Sequence, residues 1–530
     1  MYKNLGVVVL AAIYFIGMLS ITPFPRILHE DAFVYVEKAL EILNGDFTPP
    51  QSHHIGWPLM LAPAFALMQI EDLFTAMSVA RWLSFACVFG IFIMIYVICR
   101  RLIEGQNKYQ IAAIVALCVF MSSVHCDGIV QSAMTEPAFL LFTLISVYFL
   151  VDVRTTIKSV ILATVFASLS YYVRPNGLFS IGVIIIFLLI RSELDWANKV
   201  KFILGAILVF FLVSAPHMVN RHQAYGSAFS YGENSKILVE NSTQLWSPSI
   251  KAPTVAEYVK KSSFTDYYEK FIANGLWQIL KSMYGAMLYE FWTIVFIASF
   301  IKTVFIARDK KYDVFYVWIV ASILGLSLVF HVFRSERHLI YLMPIVLIAS
   351  VGFLSSMDRN SKVKFSNVIL LVILIFNLSW LPRALTPIPK GHFTLPEVKD
   401  DWAIWGAKHL EGKVAIIEGG NVLKIGQHYS EFTPERKVIL PFDQVDRNIT
   451  YVRPGNYYRL EDALAEFKQL GIQYVITDSY HIKRRSYLRE LENEEWACRF
   501  QHLKYFKSWQ KGSVLHDVNI YKVNLEGECP

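Results

Sequence analysis

The sequence predicts a polytopic α-helical membrane protein of about eleven transmembrane helices with a C-terminal extracytoplasmic α/β domain. Three observations carry this. Of the 530 residues, 55% are hydrophobic and only 18% charged, and the mean hydropathy is +0.41. That leaves too little polar surface for a soluble chain of this size. The apolar residues gather in runs close to the ~20 residues that a bilayer crossing takes. Beyond about residue 395 the runs stop, and short strand and helix patterns replace them. The net charge of +7 is modest. It fits loop topology and gives no reason to expect nucleic acid as a partner.

The runs fall at 5–24, 73–99, 109–126, 132–151, 157–173, 177–191, 200–219, 284–306, 313–333, 338–356 and 365–382. The first follows a lone Lys3, and no small-x-small cleavage pattern succeeds it, so it is expected to persist as a span. Basic residues recur in every second loop: Arg100, Arg101 and Lys108; Arg154 and Lys158; Arg191, Lys199 and Lys201; Arg308, Lys310 and Lys311; Arg359, Lys362 and Lys364. Such loops stay in the cytoplasm. The N-terminus is then cytoplasmic, in the cell's inner (plasma) membrane. The loops at 25–72 and 220–283, the turns at Glu136 and Arg174, and everything after about 383 lie outside. Residues 1–382 form the membrane module and 383–530 the outer domain.

The first outer loop holds an amphipathic helix. Phe33, Val36, Leu40 and Leu43 share one face, and Asp31, Glu37, Lys38 and Glu41 populate the other, as expected of a helix lying along the membrane surface. Gly45 and Pro49-Pro50 stop it. Trp57-Pro58 and the apolar stretch to Met68 are expected to dip back toward the membrane without crossing. The loop at 220–283 is rich in Ser, Tyr and Asn and is expected to act as a partly ordered lid. In the outer domain, Lys413-Val-Ala-Ile-Ile and Ile472–Thr477 are expected strands. Leu460, Leu464, Phe467 and Leu470 mark a helix ending at Gly471, and Val514–Val523 alternates as a strand or hairpin. Helix followed by buried strand makes a small α/β domain.

Chemistry-bearing residues collect on the outer side. Asp31, with Glu30 beside it, can take a proton from a hydroxyl acceptor, although Asp at this position also suits a helix N-cap. Glu136, in Ser132-Ala-Met-Thr-Glu-Pro, is a second carboxylate, and equally a favourable charge at a helix start. Arg174, in Tyr172-Val-Arg-Pro-Asn-Gly, either snorkels or grips a lipid phosphate with its planar donor fork. Arg334, Arg337 and His338 form another cationic group on a side normally poor in such residues. His53-His54 can donate to phosphate, bind a metal or sit at the interface. With Glu30, Asp31 and Glu136 a divalent-cation site is conceivable, but adjacent histidines are a weak metal signal, and no metal site is assigned. No Walker loop, dinucleotide fingerprint, H-E-x-x-H helix or Gly-x-Ser-x-Gly elbow occurs. The inner loops are too short for a sugar-nucleotide domain, so any donor should be lipid-borne.

These residues, in this order, resemble the GT-C superfamily of polyprenyl-phosphate-sugar glycosyltransferases, in particular the protein O-mannosyltransferase and lipid A aminoarabinose transferase branch. The matching features are Glu30-Asp31-Ala-Phe-Val-Tyr35 with Ala39 and Gly45; Gly56-Trp57-Pro58; Glu136 of TEPAFLLF; and Arg337-His338 before Pro344. The likeness covers roughly residues 5–380. Two features depart from the family: Asp-Glu is frequent where this chain has Glu-Asp, and an aromatic where it has His338. The resemblance implies inverting transfer of a monosaccharide from undecaprenyl or dolichyl phosphate to a lipid, glycan or protein acceptor. Asp31 would be the base, with Glu30 and Glu136 as further catalytic carboxylates. Arg174, Arg337, His54, His338 and Arg334 would hold the donor phosphate. The competing classes are a lipid-linked sugar transporter or flippase, which should show ionisable residues along its spans and repeated halves, and a non-enzymatic envelope-assembly protein.

Four of six cysteines (Cys87, Cys99, Cys118 and Cys126) lie in or beside apolar runs and read as core residues. Cys498 and Cys529 can pair if the C-terminal part is extracytoplasmic.

Overall fold

The computed structural model describes, with short gaps, residues 30–121, 133–226, 255–356 and 401–525. The apolar runs expected at 5–24 and 365–382, and with them Arg154, Arg308, Arg334, Arg337, Cys126 and Cys529, lie outside the described residues. Helix α1 spans Glu30–Leu43 and α2 spans Gly56–Met68. The membrane module continues with α3 Leu73–Leu102, α4 Gln106–Met121, α5 Glu136–Leu150, α6 Ile157–Val173, α7 Gly177–Ile190 and α8 Trp196–Tyr225. After the long outer loop come α9 Tyr289–Ile301, α10 Asp313–Phe330 and α11 Leu342–Ser356. Each apolar run among the described residues became a helix. Among them α3, α8 and α10 are long and apolar enough to cross a membrane; the others are shorter apolar helices.

Local sequence sets the boundaries. The Asp72 carboxylate caps α3 by accepting from Phe74 N and Thr75 N at 2.8 and 3.0 Å, and Arg100 and Arg101 occupy the last turn, where cations suit the helix dipole. Thr156 and Ser159 form a reciprocal capping box at the start of α6. Helix α2, with 13 residues, reaches only about 20 Å, less than the ~30 Å apolar core. It packs on α1, α3 and α6.

Helix α1 buries Phe33 and Val36 of its apolar stripe, and Leu40 packs partly buried against the same core. Its buried residues are Ala32, Phe33, Tyr35, Val36, Ala39 and Ile42, while Leu43 is exposed. It is sandwiched between α2 and α3 on one side and the outer domain on the other. Its charged face tolerates this because its charges are paired: Lys38 bonds Glu41 and Asp46, both at 2.8 Å, and Glu37 meets Lys424 of the outer domain at 3.1 Å. The Lys38 bond holds the Asp46 carboxyl down at about 2. The described ends of the loop at 220–283 are regular. Helix α8 extends to Tyr225, and 255–283 is largely helical, with the π-helical Tyr268–Leu276 packed on α10. Gly275 permits that contact, since a Cβ there would sit 2.3 Å from Ser327 O.

The outer domain is a mixed sheet. Strands β1 Gly412–Ile416, β2 Tyr429–Phe432, β3 Lys437–Ile439, β4 Ile449–Val452, β5 Tyr474–Asp478, β6 Phe500–Phe506 and β7 Val518–Val523 follow α12 Asp401–His409, with α13 Leu460–Leu470 inserted before β5. The five-stranded order is β4-β1-β5-β7-β6. The first three strands are parallel, and β7 runs antiparallel to both β5 and β6; β2 and β3 form a separate pair. Strand alternation divides the core. Ala415 and Val475 face Leu460, Ala463 and Phe467 of α13, while Val414, Ile416 and Ile476 pack on the other side. Gly471 ends α13 at φ +68°, as the sequence indicates. Cys498 is disulfide-bonded, and Cys87, Cys99 and Cys118 are free and buried.

The seam between α2 and the α6–α7 turn is tight. A Cβ at Gly56 would stand 2.5 Å from the Tyr172 carbonyl carbon and oxygen and 2.7 Å from Val173 N. Backbone cannot yield as a flexible side chain can, so Gly56→Ala should destabilise the purified protein by about 1–3 kcal/mol, read as a lowered thermal midpoint in detergent. An unchanged midpoint would show that the seam is looser than described.

Candidate functional site

Four chain segments meet at the outer mouth of the bundle: the turn into α2, the turn before α5, the α6–α7 turn and the start of α11. Their contacts are continuous. Trp57 Nε1 donates to Ala133 O at 2.9 Å. Ala133 itself sits at φ +56°, an uncommon conformation for a residue with a Cβ. Three residues on, Glu136 opens α5 with Pro137 behind it, which suits the first turn of a helix.

Glu136 and Arg174 form the centre. The Glu136 side chain is 4% exposed and that of Arg174 12%, and Arg174 Nη1 lies 2.5 Å from Glu136 Oε1. Arg174 Nη2 is 3.3 Å from His338 Nδ1. A guanidinium only donates, so Nδ1 accepts and the His338 proton resides on Nε2. Arg174 is positioned by Pro175 and Gly177. The residue before a proline favours extended backbone, and Arg174 has φ −148° and ψ 146°. Gly177 admits the close return, for a Cβ there would lie 2.2 Å from Tyr171 N.

His54 lies in a neighbouring layer. It is 1% exposed, and its Nδ1 donates to Tyr171 O at 2.5 Å. Its ring sits 4.6 Å from that of His217 and 5.1 Å from that of Tyr171. Burial, with His217 and Arg221 alongside, pushes the His54 imidazole well below its usual 6.5, against a smaller upward effect of the Tyr171 carbonyl. Arg221 Nη1 donates to Pro50 O and His53 O at 3.4 and 3.3 Å, and the Tyr225 hydroxyl donates to Pro49 O. The outer end of α8 thus clasps the Pro-rich turn that links α1 to α2.

The structure therefore brings together Glu136, Arg174 and His338, and seats His54 in the adjoining packing layer. Glu30 and Asp31 occupy the first turn of α1; their side chains, like Arg334 and Arg337, lie outside the described residues. Sequence reasoning missed His217, Arg221 and Tyr225. Their signal was their spacing of four along one helix face at the outer end of an apolar run. Among the described residues no three His, Cys, Asp or Glu side chains converge as metal ligands. The arrangement offers a rigid cation at one end of the helical bundle, with donors suited to a phosphate oxygen.

No protein-family model and no curated protein matches this sequence. Solved structures do match in fold. The oligosaccharyltransferase of Archaeoglobus fulgidus in its apo form superposes with a TM-score of 0.59 over 96% of this chain and 73% of its own, at 11% identity. The same enzyme with an inhibitory peptide and a dolichol-phosphate gives 0.59 over 97% and 74%, at 12% identity. ArnT from Cupriavidus metallidurans bound to undecaprenyl phosphate gives 0.57 over 98% of this chain and 99% of its own, at 10% identity. The chain has the GT-C fold, a polytopic helical module followed by a C-terminal α/β domain.

The buried His54 makes stability depend on pH. Above about 6.5 the imidazole is neutral whether the chain is folded or not, and its full contribution is present. As pH falls below 6.5 the unfolded chain binds a proton that the folded chain refuses, so stability drops by up to ~1.4 kcal/mol per pH unit. The thermal midpoint of the wild type should fall between pH 7.5 and 5 more steeply than that of His54→Gln; parallel curves would refute the assignment.

Proposed function

We propose that the protein is an inverting membrane glycosyltransferase that moves a monosaccharide from a polyprenyl-phosphate donor to an extracytoplasmic lipid, glycan or protein acceptor. The observation that carries the reading is a half-buried cation, Arg174, pinned by the buried Glu136 at the mouth of a bundle whose fold matches, over 98% of this chain, that of ArnT with undecaprenyl phosphate bound. A neutralised arginine is a steady phosphate ligand. Glu136 offsets its charge while the donor is absent, and two of its N–H groups are held, so the others keep a fixed direction.

In this reading Asp31, at the head of α1, takes the proton of the acceptor hydroxyl as that oxygen attacks the anomeric carbon. The bond between that carbon and the phosphate oxygen breaks on the opposite side, and its electron pair leaves with the lipid phosphate. Glu30 orients the acceptor beside Asp31. Arg174 and His338, with Arg337 and Arg334 from the same outer turn, stabilise the leaving phosphate, which in a site closed to water is worth several kcal/mol. Glu136 holds Arg174 and takes no proton. His54 serves by fixing the turn between α1 and α2 and not by touching phosphate. The site opens outside the inner membrane, with the N-terminus cytoplasmic and the α/β domain periplasmic. The basic inner loops support this orientation, and so does the Cys498 disulfide, which suits an oxidising compartment.

The test is mass spectrometry of envelope glycans, lipids and glycoproteins from cells with the gene, without it, and with Asp31→Asn. A glycan, lipid or glycoprotein heavier by one sugar residue should appear only with the wild type, and Asp31→Asn should lower its formation about 10²–10⁴-fold at normal protein levels. Full transfer by Asp31→Asn would rule out the base assignment, and identical envelope glycans, lipids and glycoproteins in all three would rule out the activity.

A further inference from the structure

A second site lies away from the Arg174 cluster, where α1 meets the outer domain. A cavity of about 450 Å³ opens there between one face of α1 and the loops and strand ends around β4, within the range of small-ligand pockets, roughly 300–1,000 Å³. Glu37 and Glu41 line it from α1, and Lys424, Gln427, Thr450 and Tyr451 from the outer domain. The edge-to-face pair of Phe33 and His428, with ring centroids 5.7 Å apart, forms its apolar part.

We propose that this cavity binds a neutral, hydroxyl-rich saccharide, the non-reacting part of the acceptor. The inference rests on the transferase reading above and specifies its acceptor. Its cations are already engaged, since Lys38 is shared between Glu41 and Asp46. Glu37 is paired with Lys424 at 3.1 Å and Glu41 with Lys38 at 2.8 Å. An anionic headgroup entering would face two carboxylates with no surplus cation, whereas sugar hydroxyls are donors that such carboxylates accept without a change of net charge. Gln427 and Thr450 supply both donors and acceptors. The Tyr451 ring gives the apolar surface that the C–H face of a sugar ring requires.

Position supports the same occupant. On an α-helix, Asp31 and Glu37 are separated by about 9 Å along the axis, and Glu41 lies about 15 Å from Asp31. A saccharide of a few rings seated at Glu37 and Glu41 is long enough to span the axial distance to the acidic first turn of α1. The cavity is walled by both modules. The Glu37–Lys424 pair and the bond from Phe442 N to Glu71 O, at 2.9 Å, keep its two sides in register. Selection of the acceptor is thereby shared between α1 and the outer domain.

The experiment uses the full-length protein in lipid nanodiscs. An array of neutral oligosaccharides and an array of anionic ones are screened for binding, and undecaprenyl phosphate binding is measured in parallel on the same samples. The wild type should bind at least one neutral oligosaccharide and discriminate against anionic ones. Glu41→Gln, which is nearly isosteric, and Tyr451→Ala should each weaken that binding tenfold or more, Tyr451→Phe should largely retain it, and all three should bind undecaprenyl phosphate as the wild type does. Binding of no neutral saccharide, preference for anionic ones, or equal saccharide affinity in Glu41→Gln and Tyr451→Ala overturns the proposal while leaving the donor site standing. Saccharide binding that obeys these substitutions, in a protein that takes no undecaprenyl phosphate, upholds the cavity and overturns the transferase reading.

Discussion

A guanidinium cannot be buried alone, and the pairing of Arg174 with Glu136 is the constraint on which the outer face of this molecule depends. Leaving one charge of such a pair unanswered costs about 3–5 kcal/mol. The α5 start and the α6–α7 turn must therefore stay together. Everything nearby is fitted to that requirement. Pro175 sets the extended backbone at Arg174, Gly177 lets the chain turn back on Tyr171, and Gly56 lets α2 press against Tyr172. Trp57 then ties the same layer to Ala133, just ahead of Glu136. The pair is weak evidence for stability, since a buried ion pair often gives less than an apolar replacement would. Its retention at the mouth of a bundle points to the cation as the useful element.

Helix α1 is the second hinge of the design. One of its faces belongs to the membrane module and the other to the outer domain, so a single helix relates the site of chemistry to the cavity at β4. Partly exposed pairs such as Glu37–Lys424 contribute at most about 1 kcal/mol, and the buried rings Phe33 and His428 carry the rest of the docking. From the other end, Arg221 and Tyr225 grip the Pro49–His53 carbonyls and Lys38 holds Asp46. The loop between α1 and α2 is short of regular structure yet anchored at both ends.

Much of this was legible in the sequence, for identifiable reasons. Apolar runs and basic loops are properties of single segments, so the described helices of the membrane module follow from them to within several residues at their ends. Gly471 and the 460–470 periodicity were equally local. The order of Glu30-Asp31, Gly56-Trp57-Pro58, Glu136 and Arg337-His338 was enough to indicate the GT-C fold that the solved structures share. What could not be read was contact between distant segments. Nothing in the spacing says that Glu136 faces Arg174, that His54 meets His217, or that Lys424 reaches Glu37, 387 positions away. Nor does the pattern of α1 announce the second domain beside it. Its amphipathic pattern is real, but amphipathicity does not distinguish a lipid surface from a second domain when the polar face finds ion-pair partners there.

The central claim is that Arg174, fixed by Glu136, receives the phosphate of a polyprenyl lipid. The most direct measurement is undecaprenyl phosphate binding to purified wild type and Arg174→Lys by native mass spectrometry. This substitution keeps a positive charge opposite Glu136 but removes the planar fork, so the fold is preserved and only phosphate geometry suffers. The account predicts clear binding by the wild type and an affinity at least about tenfold lower in the variant, a difference of ~1.4 kcal/mol. Equal affinity in the two proteins, or none in the wild type, would contradict it.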